Sequence, residues 1–195
     1  MQFSIDTILY AVAFIIAVVV HEYAHGYSAY KLGDNTAKIM GRLTLNPLKH
    51  IDPIGLVSMV VFRVGWAKGV PVNPMNFKNR KMDMLIVASA GIVTNIVLAV
   101  ISSLALKVLP IYNETFNLFL LYLVFSNLML GIFNLLPFPP LDGSKIVFSL
   151  LPEKYERFLY QYERYFYIIL VALIFTGTVS KIINPILWAI VGVLL

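Results

Sequence analysis

His21, Glu22 and His25 stand in the order H-E-x-x-H. On a helix, residues four apart share one face, so both imidazoles can reach one metal ion. Glu22, one position along, is close enough to take a proton from a water activated there. These residue types at this spacing are those of a zinc-dependent peptidase. The pattern alone is weak, because two of its five positions are free. Its setting strengthens it: residues 7–20, immediately before, carry no charge. The histidines therefore fall at the end of a candidate membrane helix, where ionisable groups are costly and point to function.

A catalytic zinc keeps three protein ligands and one open position. The chain has no cysteine and only three histidines, the third being His50. Asp142 is the best third ligand. It follows Pro137-Phe138-Pro139-Pro140, a run that ends a helix and frees the backbone to aim a carboxylate inward. Read alone, Asp142 could equally cap the helix that follows; two histidines in need of a partner favour the ligand. Glu22 would be the general base, passing its proton to the leaving amine. Asn95 and Asn134 lie in apolar runs. They could donate hydrogen bonds to a substrate carbonyl or oxyanion, or join helices, and both readings stand. His50, beside Ile51-Asp52-Pro53, reads as structural.

The elements that must position these residues are membrane helices. Of 195 residues, 59% are hydrophobic and 13% charged, and the mean hydropathy is +0.83. No ordinary soluble domain has this composition. The net charge of +5 flanks apolar runs, so it speaks for orientation and against nucleic-acid binding. The first helix is expected from Asp6, an N-cap, to Leu32, with Gly33 as its C-cap. Further spans are expected at 84–106, at 116–136, ending near Phe175, and at 179–195. Between the first two, Ile39–Asn46 alternates as a short strand does, and 53–66 reads as a re-entrant segment. The expected fold is all-α and polytopic, with about five transmembrane helices and a re-entrant or short β segment after the first. It forms a single membrane-embedded domain over 1–195, with a catalytic core at about 6–151 and a C-terminal helical pair at about 155–195. Asp6 in place of a basic leader argues against a signal peptide.

Thirteen of the fifteen Lys and Arg fall in 31–83 and 137–164. The positive-inside rule makes that side cytoplasmic and the N-terminus external. His25, Gly91 and Asp142 then converge on one side, provided that 53–66 does not cross. A strand at Gly41–Asn46 near the site could pair with an extended substrate.

Taken together, H-E-Y-A-H at 21–25, A-G-I-V-T-N at 90–95 and N-L-L-P-F-P-P-L-D-G at 134–143 resemble the site-2 protease family of intramembrane zinc metalloproteases. The resemblance extends through G-R-L-T-L-N-P-L-K-H-I-D-P-I-G at 41–55 and G-W-A-K-G-V-P-V-N-P at 65–74, and covers about residues 7–150. It implies zinc ligands His21, His25 and Asp142, with Glu22 as the catalytic acid and base. It also implies polar positions near the site at Asn95 and Asn134. Ile92 and Gly69 stand where the family commonly has proline, which touches packing and loop stiffness and not the ligands. The chain has no room for a PDZ or CBS domain, which implies a minimal, prokaryote-like member in a cell membrane.

The expected activity is zinc-dependent cleavage, in or near transmembrane segments, of membrane protein substrates, as in regulated intramembrane proteolysis. One Zn2+ is the expected cofactor, and the lipid bilayer and a transmembrane substrate are the expected partners. Two rivals from other classes are a metal-dependent protein that binds membrane helices without cutting them, and a zinc transporter or sensor. Glu22 argues against the first. Few ionisable residues within the other spans argue against the second.

Overall fold

A computed structural model describes residues 5–55, 66–109 and 113–195. Most of the re-entrant segment expected at 53–66 lies outside the described residues, as does most of the turn expected at 110–114. The first helix, α1 (Ile5–Lys31), has Asp6 in its first turn and Lys31 in its last, each complementing the helix dipole. It ends as expected before Gly33. A single helical turn, α2 (Thr36–Ile39), follows.

Two long apolar helices come next. In α3 (Arg80–Val108), the Asn79 side chain accepts from Met82 N, at 3.3 Å, and Asp83 Oδ2 accepts from Asn79 N at 3.0 Å. This reciprocal cap satisfies donors that a helix start leaves free. In α4 (Glu114–Leu135), the Asn113 side chain accepts from Phe116 N at 3.0 Å, and the proline run beginning at Pro137 ends the helix. A short helix, α5 (Asp142–Ser149), then leads to α6 (Glu153–Phe175) and α7 (Thr178–Leu194).

The three long helices α1, α3 and α4 pack against one another, with α5 tucked against α3 and α4, and α7 against α4. Small residues let them approach: Ala13 and Ala17 of α1 and Ala99 of α3 are fully buried. In lipid, close packing of this kind replaces the hydrophobic drive that water supplies. The larger core gathers Val124, Leu128 and Ile132 of α4 against Val179, Ile183 and Leu187 of α7.

Two expectations are not met among the described residues. First, among the described residues three helices are long and apolar enough to cross a membrane, α1, α3 and α4, where about five were expected. The last two expected spans form one pair, Gln161–Phe175 and Thr178–Leu194, bent by 70°, which makes a fourth span only if it crosses as a broken unit. The 17 residues of α7 are about 25 Å of helix, less than the ~30 Å hydrocarbon core.

Second, Ile39–Asn46 is not a strand. Ile39 closes α2, and the N–H groups of Gly41, Arg42 and Leu43 donate back to carbonyls of Lys38 and Ala37. Those donors finish a helix turn, so none is left for a ladder. Among the described residues the β structure amounts to one isolated bridge, Ile51 with Ala67.

Candidate metal centre

His21 and His25 lie on the buried face of α1, and Asp142 is the first residue of α5. The break after α4 brings that carboxylate back to the histidines. His21 Nε2 and His25 Nε2 are 2.9 Å apart, and each is 3.0 Å from Asp142 Oδ2. All three residues are buried.

The other ring nitrogen of each histidine is already committed. His25 Nδ1 donates to the carbonyl of Val87 on α3, at 2.7 Å. His21 Nδ1 donates to Asn95 Oδ1, at 2.6 Å. Each bond fixes a tautomer whose Nε2 carries a lone pair. Two such lone pairs and a carboxylate oxygen at this spacing repel unless a cation sits among them, either protons on the rings or a metal ion. The donor set, two imidazoles and a carboxylate, suits zinc. Its outer bonds match the way metal-binding histidines are usually oriented.

Burial acts to raise the Asp142 carboxyl. When protons rather than a metal lie among the rings, the charge on His25, hydrogen bonds from His21 and His25, and the charge on Lys145 together hold it well below the usual carboxylate range. The ionised carboxylate is the form that binds metal. Lys145 Nζ holds the other oxygen, Oδ1, at 3.0 Å.

Glycine makes these approaches possible. A Cβ on Gly91 would stand 2.5 Å from His25 Nε2 and 2.6 Å from His21 Cε1, so the histidines rest directly on the α3 backbone. A Cβ on Gly143 would stand 2.2 Å from the Leu135 carbonyl oxygen. Only glycine beside Asp142 lets α5 start so close to the end of α4.

Glu22 is partly buried. Its Oε2 accepts from the backbone N–H of Val70 at 2.7 Å, and its second oxygen has no hydrogen bond among the described residues. Asn95 is fully buried, and its amide donates to Ala17 O, at 3.1 Å, and to Asn127 Oδ1, at 2.8 Å. With both donors taken, it offers a substrate none. Asn134 donates to Leu130 O of its own helix at 3.1 Å and does not join this network. Asn127 does: its own amide donates to Leu123 O at 2.8 Å. His50 is buried and its Nε2 meets Thr44 O at 2.8 Å, apart from the cluster of His21, His25 and Asp142.

The sequence reading missed Asn127 as a site residue. Asn127 and Asn134 are seven apart, so they share one helix face and periodicity does not separate them. Their depth does, by about 10 Å along the axis. The Val70 N–H was also missed, and no side-chain pattern could have revealed a backbone donor.

A family model described as peptidase family M50 matches residues 110–177. Among curated relatives, "Putative zinc metalloprotease YwhC" of Bacillus subtilis is 38% identical over 184 residues, covering 90% of this chain and 84% of the relative. "Putative zinc metalloprotease Rip2" of Mycolicibacterium smegmatis is 27% identical, over 89% of this chain and 69% of the relative. "Zinc metalloprotease MJ0392" of Methanocaldococcus jannaschii is 30% identical, over 77% of this chain and 37% of the relative. No solved structure gives a significant match.

Proposed function

The chain belongs to peptidase family M50, the site-2 protease family, and from that premise we propose that it is an intramembrane zinc endopeptidase. Its substrates on this reading are membrane proteins, cut in or near their transmembrane segments. The observation that carries the proposal is the meeting of His21 Nε2, His25 Nε2 and Asp142 Oδ2 within 3.0 Å, with Glu22 next in sequence to the first of them.

His21, His25 and Asp142 would hold the ion. Zinc in that place supplies Lewis acidity toward the scissile carbonyl and toward an attacking water. Glu22 removes a proton from the water as it adds to the carbonyl carbon, then delivers it to the amide nitrogen as the C–N bond breaks. Val70 N–H holds the carboxylate in place while its free oxygen handles the proton. The surrounding apolar helices keep bulk water away, which strengthens each charge interaction inside.

The proposed placement has the N-terminus outside and the site toward the cytoplasmic face of a prokaryotic cell membrane. The clustering of Lys and Arg in 31–83 and 137–164 supports it.

The test uses a panel of quenched fluorescent peptides of about 20 apolar residues, the length of a span, each with a central Asn-Gly pair to loosen the helix. The purified protein in mild detergent, loaded with zinc, is expected to cut members of the panel. Glu22→Gln is expected to keep zinc and lose cutting by about 100-fold or more. Equal rates for parent and variant would sink the peptidase reading and leave a metal-dependent binder or transporter.

A further inference from the structure

Resting on Glu22 as the general base, we propose that Arg42 is a positioning residue for that carboxylate, acting through the peptide unit between Gly69 and Val70. Arg42 Nη2 donates to Lys68 O, at 2.6 Å, and to Gly69 O, at 3.1 Å. Gly69 O and Val70 N belong to one peptide unit, and among the described residues the sole cis bond is Pro139–Pro140. In a trans peptide the C=O and N–H point in opposite directions. The guanidinium on the oxygen side therefore fixes where the N–H on the other side aims. It aims at Glu22 Oε2, 2.7 Å away. A cation on the carbonyl also polarises the peptide and strengthens its N–H as a donor.

The cost of this arrangement argues that it serves a purpose. Arg42 is only 8% exposed, and its Nε is buried without a hydrogen-bond partner among the described residues. Burying a cation against two carbonyls is expensive, and other bonds already fasten the segment. Lys68 N donates to His50 O at 2.8 Å, and Asn73 N donates to Asp34 Oδ2 at 2.7 Å. What Arg42 adds is the aim of the peptide whose N–H meets Glu22.

The experiment measures kcat and KM on the peptide of the panel that the parent cuts fastest, with zinc content measured for every variant. Arg42→Gln is expected to lower kcat by about 10–100-fold, the usual effect of removing an outer partner, with KM and zinc unchanged. In a Glu22→Asp background, where the carboxylate no longer reaches the Val70 N–H, the same substitution is expected to change kcat by less than about threefold, since coupled residues do not add. Arg42→Lys keeps the cation but lacks the planar fork, and is expected to lose less than Arg42→Gln while still falling below the parent. If Arg42→Gln fails to hold zinc, Arg42→Lys decides.

Parental kcat in a zinc-replete Arg42 variant overturns the proposal. So does a loss that is undiminished in the Glu22→Asp background, which would make Arg42 a staple of the fold. A parent no faster than Glu22→Gln sinks the peptidase reading and this proposal with it. An active parent with indifferent Arg42 variants sinks this proposal alone.

Discussion

Asn95 Oδ1 lies 2.6 Å from His21 Nδ1, and the amide of the same residue ties α1 to α4 through Ala17 O and Asn127 Oδ1. One asparagine thus sets the tautomer of a proposed ligand and the relation between three helices. Asn95→Ala is expected to weaken zinc binding by about 10–100-fold, read by competition with a metal chelator. Asn95→Asp keeps an acceptor for His21 and is expected to bind zinc more tightly than Asn95→Ala. The reverse order would mean that the donors lost toward Ala17 O and Asn127 Oδ1 outweigh the acceptor kept for His21.

Asn127 and Asn134 offer a direct comparison on one helix. Asn127 bonds Asn95, whereas Asn134 bonds its own helix at Leu130 O. Asn127→Ala leaves a buried Asn95 donor unpaired, at a cost of about 1–3 kcal/mol, and is expected to lower both thermal stability and zinc affinity. Asn134→Ala is expected to leave zinc affinity within about twofold of the parent, since no hydrogen bond among the described residues connects it to the cluster. Chelator competition on both variants checks this. Matched zinc losses would show that the network extends further down α4 than the hydrogen bonds indicate.

What could be read from the sequence was what side-chain type and helical period encode. H-E-x-x-H on an apolar run placed both imidazoles, and the proline break before Asp142 placed the third donor. Ile39–Asn46 misled because alternation describes side chains, while the decision there lay with the N–H groups of Gly41, Arg42 and Leu43, which finish α2. The count of about five spans is not matched among the described residues for a similar reason. The bend between α6 and α7 falls at Thr176-Gly177, where Gly177 takes φ +72°, and hydropathy carries no record of angle. Asp34, just past the end of α1, is a fully buried anchor for a segment about forty positions on. Contacts that distant leave no local pattern.

Asp34 lies beyond the end of α1 and gives the fold an acid-sensitive joint. Burial acts to raise its carboxyl, but hydrogen bonds from the Thr36 hydroxyl, Asn73 N–H, the Asn76 amide and Thr36 N–H outweigh this and hold it below the ordinary value of 3.8. A carboxyl depressed in the folded state adds stability that is fully present above its unfolded value, and that stability is lost as pH falls through the folded one. The loss is therefore expected below about pH 4. Melting of the detergent-solubilised protein, followed from pH 7 to pH 2, is expected to show a downturn there that is shallower in Asp34→Asn. An identical acid limb in parent and variant would assign the downturn to other carboxyls.

Gly91 and Gly143 separate the making of the site from the making of the helices. Alanine is the better helix former by about 1 kcal/mol, so Gly91→Ala favours α3 as a helix. Its new Cβ, however, would stand 2.5 Å from His25 Nε2 and 2.7 Å from His21 Nδ1, and both rings would have to move. Zinc affinity is expected to fall by about 100-fold or more, with the far-ultraviolet helix signal unchanged. Gly143→Ala meets backbone, 2.2 Å from Leu135 O, which cannot swing aside as a side chain can. It is expected to push the start of α5 away, carrying Asp142 off the histidines, so zinc is lost and the α4–α5 junction becomes more open to proteolysis. Gly192→Ala, where an added Cβ meets nothing within 4 Å, is the control and is expected to bind zinc as the parent does. If Gly91→Ala bound zinc normally, the rings would have to rest less tightly on α3 than the structure places them, and the approach of α1 to α3 would not be what forms the site.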